Sequence, residues 1–108
     1  MKINKDKLLT LIGEANKALG QLKSYAAADR DKLVSSVEKM ASIKYHFIIL
    51  IEACIDICNH IMSKGFSAVP ESYSHCFILL GEKGLISKSL SEKMAELARF
   101  RNVLVHLF

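Results

Sequence analysis

Arg101 and His106 stand near the C-terminal end of the chain with four residues between them, in the segment Arg101-Asn102-Val103-Leu104-Val105-His106-Leu107-Phe108. A guanidinium pairs bidentately with a phosphate and an imidazole titrates near neutrality, so the two types suit proton transfer at a phosphate ester. Five residues along an ideal helix rotate by about 140°, so the two side chains do not point together unaided. The reach of arginine, a local helix distortion or contributions from two chains would have to unite them. Read from the residues alone, a structural role for the pair stays open beside a catalytic one.

Arg101 also falls inside an apolar stripe of helical spacing, Leu90, Met94, Leu97, Leu104 and Phe108. A guanidinium there needs a partner, because an unpaired buried charge is costly. Either a carboxylate such as Glu52 or Asp56 meets it, or a groove leaves it open to an anionic ligand. Asn102 and His106, four apart, share another helix face and are placed to hydrogen-bond. Phe100, Val103 and Leu107 form a further apolar strip, which suggests a partner surface.

Other constellations carry less. Cys54 and Cys58 share a helix face and offer two corners of a zinc site, but His60 points about the opposite way, at ~200°. Cysteine also packs as a small hydrophobe, and that reading is preferred, with no metal expected. Cys76 has His75 beside it, but neighbours on a helix point in different directions. His46 lies among apolar and aromatic residues and reads as a structural histidine. There is no Gly-rich phosphate loop, H-E-x-x-H or G-x-S-x-G, and no cofactor is expected.

The elements that must position these groups are helices. A chain of 108 residues, half of them hydrophobic, with one proline and no tryptophan, allows one domain rich in helix formers. Helical periodicity predicts helices over residues 5–24, 31–64, 72–81 and from 89 onward. Asp29 is the expected N-cap of the second, Gly65 its C-cap, and Ser89 with Glu92 the capping box of the fourth. On the first helix Leu8, Leu11, Ile12, Ala15, Ala18, Leu19 and Leu22 should face inward.

In the second helix Phe47, Ile48, Ile49, Leu50 and Ile51 cover every direction around the axis, so that band should be buried all round. Four short helices rarely enclose one member, which argues for a second copy. The expected architecture is an all-α up-and-down four-helix bundle, homodimeric. Glu52, Asp56, Asn59 or His60, and Ser63 make a polar stripe on the same helix; it either faces water or lines a cleft near the dimer seam.

The charge of +4 with pI near 9 is a modest basic bias, Lys2, Lys5 and Lys7 included. It reads either as a solvated helix face or as electrostatic attraction to nucleic acid. Three cysteines without a secretory signal point to a reducing, cytoplasmic setting and to reduced, buried thiols. The longest wholly apolar run, residues 47–51, is far short of the roughly 20 residues of a membrane span.

The chain resembles the HepT-like proteins of the HEPN superfamily, small helical toxins encoded beside minimal nucleotidyltransferase antitoxins. The resemblance runs through Ile51-Glu52-Ala53, Asp56-Ile57, Asn59-His60-Ile61, Pro70-Glu71-Ser72-Tyr73, Leu79-Leu80-Gly81-Glu82-Lys83-Gly84 and Arg101-Asn102-Val103-Leu104-Val105-His106. It implies one HEPN-like domain over residues 1–108, its last helix cut short. It further implies metal-independent RNA cleavage at a dimer cleft holding two copies of the motif. Arg101 would bind the scissile phosphate, His106 would act as general acid or base, and Asn102 would orient it. Asp56 and Glu52 would help to position.

Family members commonly extend the motif to R-x-x-x-x-H-x-Y, with a tyrosine that the antitoxin can adenylylate. Here Phe108 occupies that position and offers no hydroxyl. That departure favours an alternative expectation, a non-catalytic helical subunit that docks a nucleotidyltransferase and helps to bind its substrate. A purely structural dimerisation module is the third.

Overall fold

The computed structural model describes residues 3–106. Lys2, Leu107 and Phe108, each named above, lie outside the described residues. Helix α1 spans Lys5–Ala26, and the Asn4 side chain caps it by accepting from the Lys7 N–H at 3.1 Å. The expected helix over 31–64 is divided. A short α2, Arg30–Val34, is capped by Asp29 as expected, and α3 runs Val37–His60.

The division falls at Ser35-Ser36, and serine chemistry accounts for it. Ser35 Oγ donates to the Lys32 carbonyl at 3.3 Å, and Ser36 Oγ accepts from the Lys39 N–H at 3.1 Å. Such hydroxyls offer the backbone an alternative to helix continuation, and Ser36 opens α3 as an N-cap. After His60 the chain widens into one π-helical turn, Ile61–Gly65. The left-handed residue that closes it is Ser67, with φ 51°, and not Gly65. The Ala68 N–H bonds back to the Met62 carbonyl at 2.9 Å.

Helix α4, Tyr73–Glu82, is capped by Ser72, and α5 covers Lys88–His106. Ser87 Oγ accepts from the Leu90 N–H at 3.1 Å, so the cap lies two residues before the expected Ser89.

These elements form an all-α bundle in which α3 is central. Helix α1 packs along it, while α4 and α5 pair with each other and close against it. Ile51, Ile55, Cys58 and Met62 from α3 and its π turn meet Cys76, Phe77 and Leu80 of α4 and Ala95 and Ala98 of α5.

The α4–α5 crossing is close. A Cβ on Gly81 would stand 2.6 Å from Ser91 Oγ, which donates to the Phe77 carbonyl at 2.8 Å. This closeness sets the register of α5. Small residues (Ser91, Ala95 and Ala98) fill the seam, while Leu90 and Leu97 of the expected inward stripe stay exposed. On α1, likewise, Leu11 and Ala18 are buried but Ile12 and Leu19 are exposed.

The band at 47–51 is not enclosed by its own chain. Ile51 is buried; Phe47 to Leu50 are half-buried. Beside them Val34, Val37, Met40, Phe47, Phe100 and Leu104 line an apolar groove of about 870 Å³. Phe47 and Phe100 meet edge to face across it, their centroids 6.3 Å apart. Among the described residues no helix is long and apolar enough to cross a membrane.

Candidate active site

Helix α5 brings Arg101 against α3 and the start of α4. Its Nη2 lies 3.3 Å from Glu52 Oε2, its Nη1 donates to Asn102 Oδ1 at 3.1 Å, and its Cζ sits 5.6 Å from the centre of the Tyr73 ring. Of the two readings open for Arg101, a carboxylate partner is therefore present, and it is Glu52. The guanidinium side chain is 22 % exposed and Glu52 44 %, so the pair sits at a rim within reach of solvent. Buried Nε, in contrast, has no acceptor among the described residues. A fork that spends one bond on a carboxylate and one on an amide oxygen, over an aromatic face and partly exposed at a rim, is chemically suited to meet an oxyanion through its Nη hydrogens.

The four histidines divide cleanly. His46 Nδ1 donates to the Ser42 carbonyl at 2.7 Å, in a small network where Tyr25 donates to Ser42 Oγ at 2.7 Å. Those hydrogen bonds, to Ser42 first and Gln21 next, lower the Tyr25 pKa. Buried His60 accepts the Asn4 N–H on Nε2 at 2.8 Å, and His75 Nδ1 accepts the Glu71 N–H at 3.0 Å. Three imidazoles are thus committed to holding backbone. His106 is exposed at the end of α5 and makes no such bond among the described residues. Within one chain no hydrogen bond or ion pair joins it to Arg101, as the helical angle between them requires.

Asn102 is exposed and engaged by Arg101, with no bond to His106. Asp56 is exposed one turn from Glu52 and lines a second pocket, of about 530 Å³, at the junction of α1, the end of α3 and the connector before α4. Asn59, Ser63, Lys64 and Lys7 line it too, so the polar stripe read from the sequence faces a pocket over its second half. Tyr73 under Arg101 went unassigned at the level of sequence. The contact joins residues far apart in the chain, and local spacing gives no sign of it.

The cysteines require a correction. Reduced thiols were expected, but Cys58 and Cys76, both fully buried, face each other across the α3–α4 seam and are joined as a disulfide. Periodicity places each thiol on an inward face and cannot say which thiol of another helix it will meet. Cys54 is free and half-buried, and burial pushes its thiol pKa up. Among the described residues no group of three His, Cys, Asp or Glu side chains is arranged to hold a metal.

The chain is similar to known proteins along most of its length. The profile of the family described as Ribonuclease HepT-like matches residues 15–108. The mRNA nuclease HepT of Shewanella oneidensis is 40% identical over 55 residues, covering 51% of this chain and 41% of that protein. The tRNA nuclease HepT of Aphanizomenon flos-aquae is 32% identical over 98 residues, 91% of this chain and 65% of its own length. The chain therefore spans less than two thirds of either curated relative.

Among solved structures, the tri-AMPylated HEPN toxin of Shewanella oneidensis in complex with MNT antitoxin superposes with a TM-score of 0.87 at 25% identity. That match covers 95% of this chain and 77% of the other. A toxin–antitoxin structure with AMP-PNP also gives 0.87 at 25% identity, over 94% of this chain and 76% of the other. With a profile match that begins within α1 and runs through the Arg101–His106 segment, the chain belongs to the Ribonuclease HepT-like family.

Proposed function

We propose that this chain is the ribonuclease toxin of a toxin–antitoxin pair, cleaving RNA without a metal at a cleft shared by two copies. The observation that carries the reading is the state of Arg101. It is held by Glu52 and Tyr73 at a rim, with a buried Nε–H that lacks an acceptor. His106 on the same helix is the histidine with no structural bond among the described residues.

RNA supplies its own nucleophile. An imidazole takes the 2′-hydroxyl proton, the 2′-oxygen attacks phosphorus, and the bond to the 5′-oxygen breaks as that oxygen is protonated. The products are a 2′,3′-cyclic phosphate and a 5′-hydroxyl. Arg101 would stabilise the charge that builds on the non-bridging oxygens, and His106 would move the proton. Glu52, Asn102 and Asp56 would serve as positioning residues, Glu52 and Asn102 through their contacts with the guanidinium.

A second copy supplies what one chain lacks. The apolar groove between Val37, Phe47 and Phe100 is large enough to seat a partner surface, and Val103, 53% exposed, shares a face of α5 with His106. A dimer built there sets two Arg101–His106 pairs near one seam and relieves the angle between them. The partner antitoxin would be an MNT-like nucleotidyltransferase, as in the toxin of Shewanella oneidensis. Position 108 is phenylalanine, so neutralisation here cannot use a tyrosine hydroxyl at that position.

The reading is tested with purified protein and a single-stranded RNA in EDTA. Cleavage should persist, leave a 2′,3′-cyclic phosphate, and stop when the nucleotide at the cleavage point is 2′-deoxy. A strict need for magnesium would overturn it.

A further inference from the structure

We propose that the pocket between the start of α1, the end of α3 and the connector before α4 is a nucleotide subsite. It would hold the RNA residue that flanks the scissile phosphate and favour a base with an exocyclic amino group over uracil. This rests on the ribonuclease reading of Arg101 and His106 and extends it to substrate selection.

Position comes first. Two independent paths tie the pocket to Arg101. On α3, Glu52 binds the guanidinium, and Asp56, one turn or about 6 Å further along, lines the pocket. On the connector side, Tyr73 lies under the guanidinium, and Pro70, three residues earlier, forms pocket wall. A strand whose phosphate sits on Arg101 therefore places its next nucleotide at this opening.

The lining chemistry matches a nucleotide. At about 530 Å³ the volume is within the range of small-molecule sites. Lys7 and Lys64 line it from two different elements, and neither has an ion-pair partner among the described residues. Ala68, Val69 and Pro70 form an apolar wall, and Val69 is 88% exposed, available to the face of a base. Asp56 and Asn59 also line the pocket, with no side-chain hydrogen bond of their own among the described residues. A carboxylate accepts only, so it takes an amino hydrogen of adenine, cytosine or guanine; uracil offers it only the N3–H, flanked by two carbonyl oxygens that repel a carboxylate.

The pocket is also held in shape. His60, in its lining, accepts the Asn4 N–H at 2.8 Å, and Asn4 in turn caps the Lys7 N–H at 3.1 Å. The backbone that carries Lys7 is thereby fixed to the end of α3.

The experiment is a titration of the isotope-labelled chain with AMP, CMP, GMP and UMP, read by NMR. Saturable shifts should appear at residues 56–64 and 68–70, with UMP binding roughly tenfold more weakly than the others. Asp56→Ala should erase that preference, and Lys7→Ala with Lys64→Ala should weaken all four. In cleavage, the double lysine variant should raise KM for a dinucleotide and for a long RNA alike, because both place a nucleotide in the subsite.

Absence of saturable shifts, or equal binding of UMP, would overturn the subsite while an Arg101-dependent nuclease still stood. The stated preference in a chain that never cleaves RNA would instead sink the nuclease reading, and the flanking role with it. Shifts at these residues produced only by a nucleotidyltransferase partner would make the pocket a protein contact and overturn the proposal.

Discussion

Arg101 on α5 and Glu52 on α3, 49 residues apart in the chain, meet at 3.3 Å through a single oxygen. The contact closes one arm of the guanidinium and leaves Nε–H unsatisfied among the described residues. Because Glu52 is nearly half exposed, the pair contributes little to stability, about 0–1 kcal/mol by the standard of exposed ion pairs. Its value in the proposed mechanism is orientation. Glu52→Gln should therefore leave thermal unfolding almost unchanged while lowering RNA cleavage by about tenfold, less than the ~10²-fold that follows displacement of a reacting group by 1 Å. Unfolding curves and cleavage rates measured on one preparation check it; an equal fall in both would make Glu52 a structural residue.

The groove at Phe47 and Phe100 predicts association. Phe100→Asp puts a carboxylate into a lining that is mostly apolar, and should shift the protein from dimer to monomer in sedimentation. Phe100 is 43% exposed in the single chain, so the helical circular dichroism should survive. A parent protein that sediments as a folded monomer at micromolar concentration would contradict the shared cleft.

Gly81→Ala tests the helix crossing that fixes the register of α5. The new methyl would meet Ser91 Oγ at 2.6 Å and Ser91 Cβ at 2.7 Å, and the Ser91 bond to the Phe77 carbonyl would have to yield. Overpacking of this kind costs about 1–3 kcal/mol, which chemical denaturation will register. Unchanged stability would mean that the seam between α4 and α5 is looser than described.

The cysteines give a chemical count. In denaturant without reductant one thiol per chain should react, Cys54, and after reduction all three. In the folded protein, burial raises the Cys54 pKa, so its thiolate fraction near neutrality is small. Alkylation should be slow at pH 7.5 and accelerate as pH rises past the ordinary thiol range. Fast reaction at neutral pH would show an exposed Cys54.

Much of this molecule was readable before any coordinates. Helical periodicity placed the first, third and fourth expected helices within a few residues, and the apolar band at 47–51 announced a surface that its own chain leaves partly uncovered. Of the polar stripe from Glu52 to Ser63, Glu52 meets Arg101, and Asp56, Asn59, His60 and Ser63 line the second pocket rather than the groove at Phe47 and Phe100. What escaped depends on partners distant in sequence. The stripe Leu90, Met94, Leu97 looked inward by period alone, but Gly81 draws α5 so close that Ser91, Ala95 and Ala98 take the seam. Two adjacent serines broke a helix that hydropathy made continuous. Neither the Tyr73 contact with Arg101 nor the pairing of Cys58 with Cys76 leaves a trace in local spacing.

The most direct test of the account separates the tasks of its two central residues. Single-turnover cleavage and RNA binding are measured together for the parent, His106→Ala and Arg101→Ala. His106→Ala should cut turnover by about 10²–10⁴-fold with binding largely intact, as expected for loss of a general acid or base. Arg101→Ala should weaken binding as well as turnover, and Arg101→Lys should restore it only in part, since an ammonium lacks the planar fork. RNA cleavage that proceeds equally well without His106 would contradict the account.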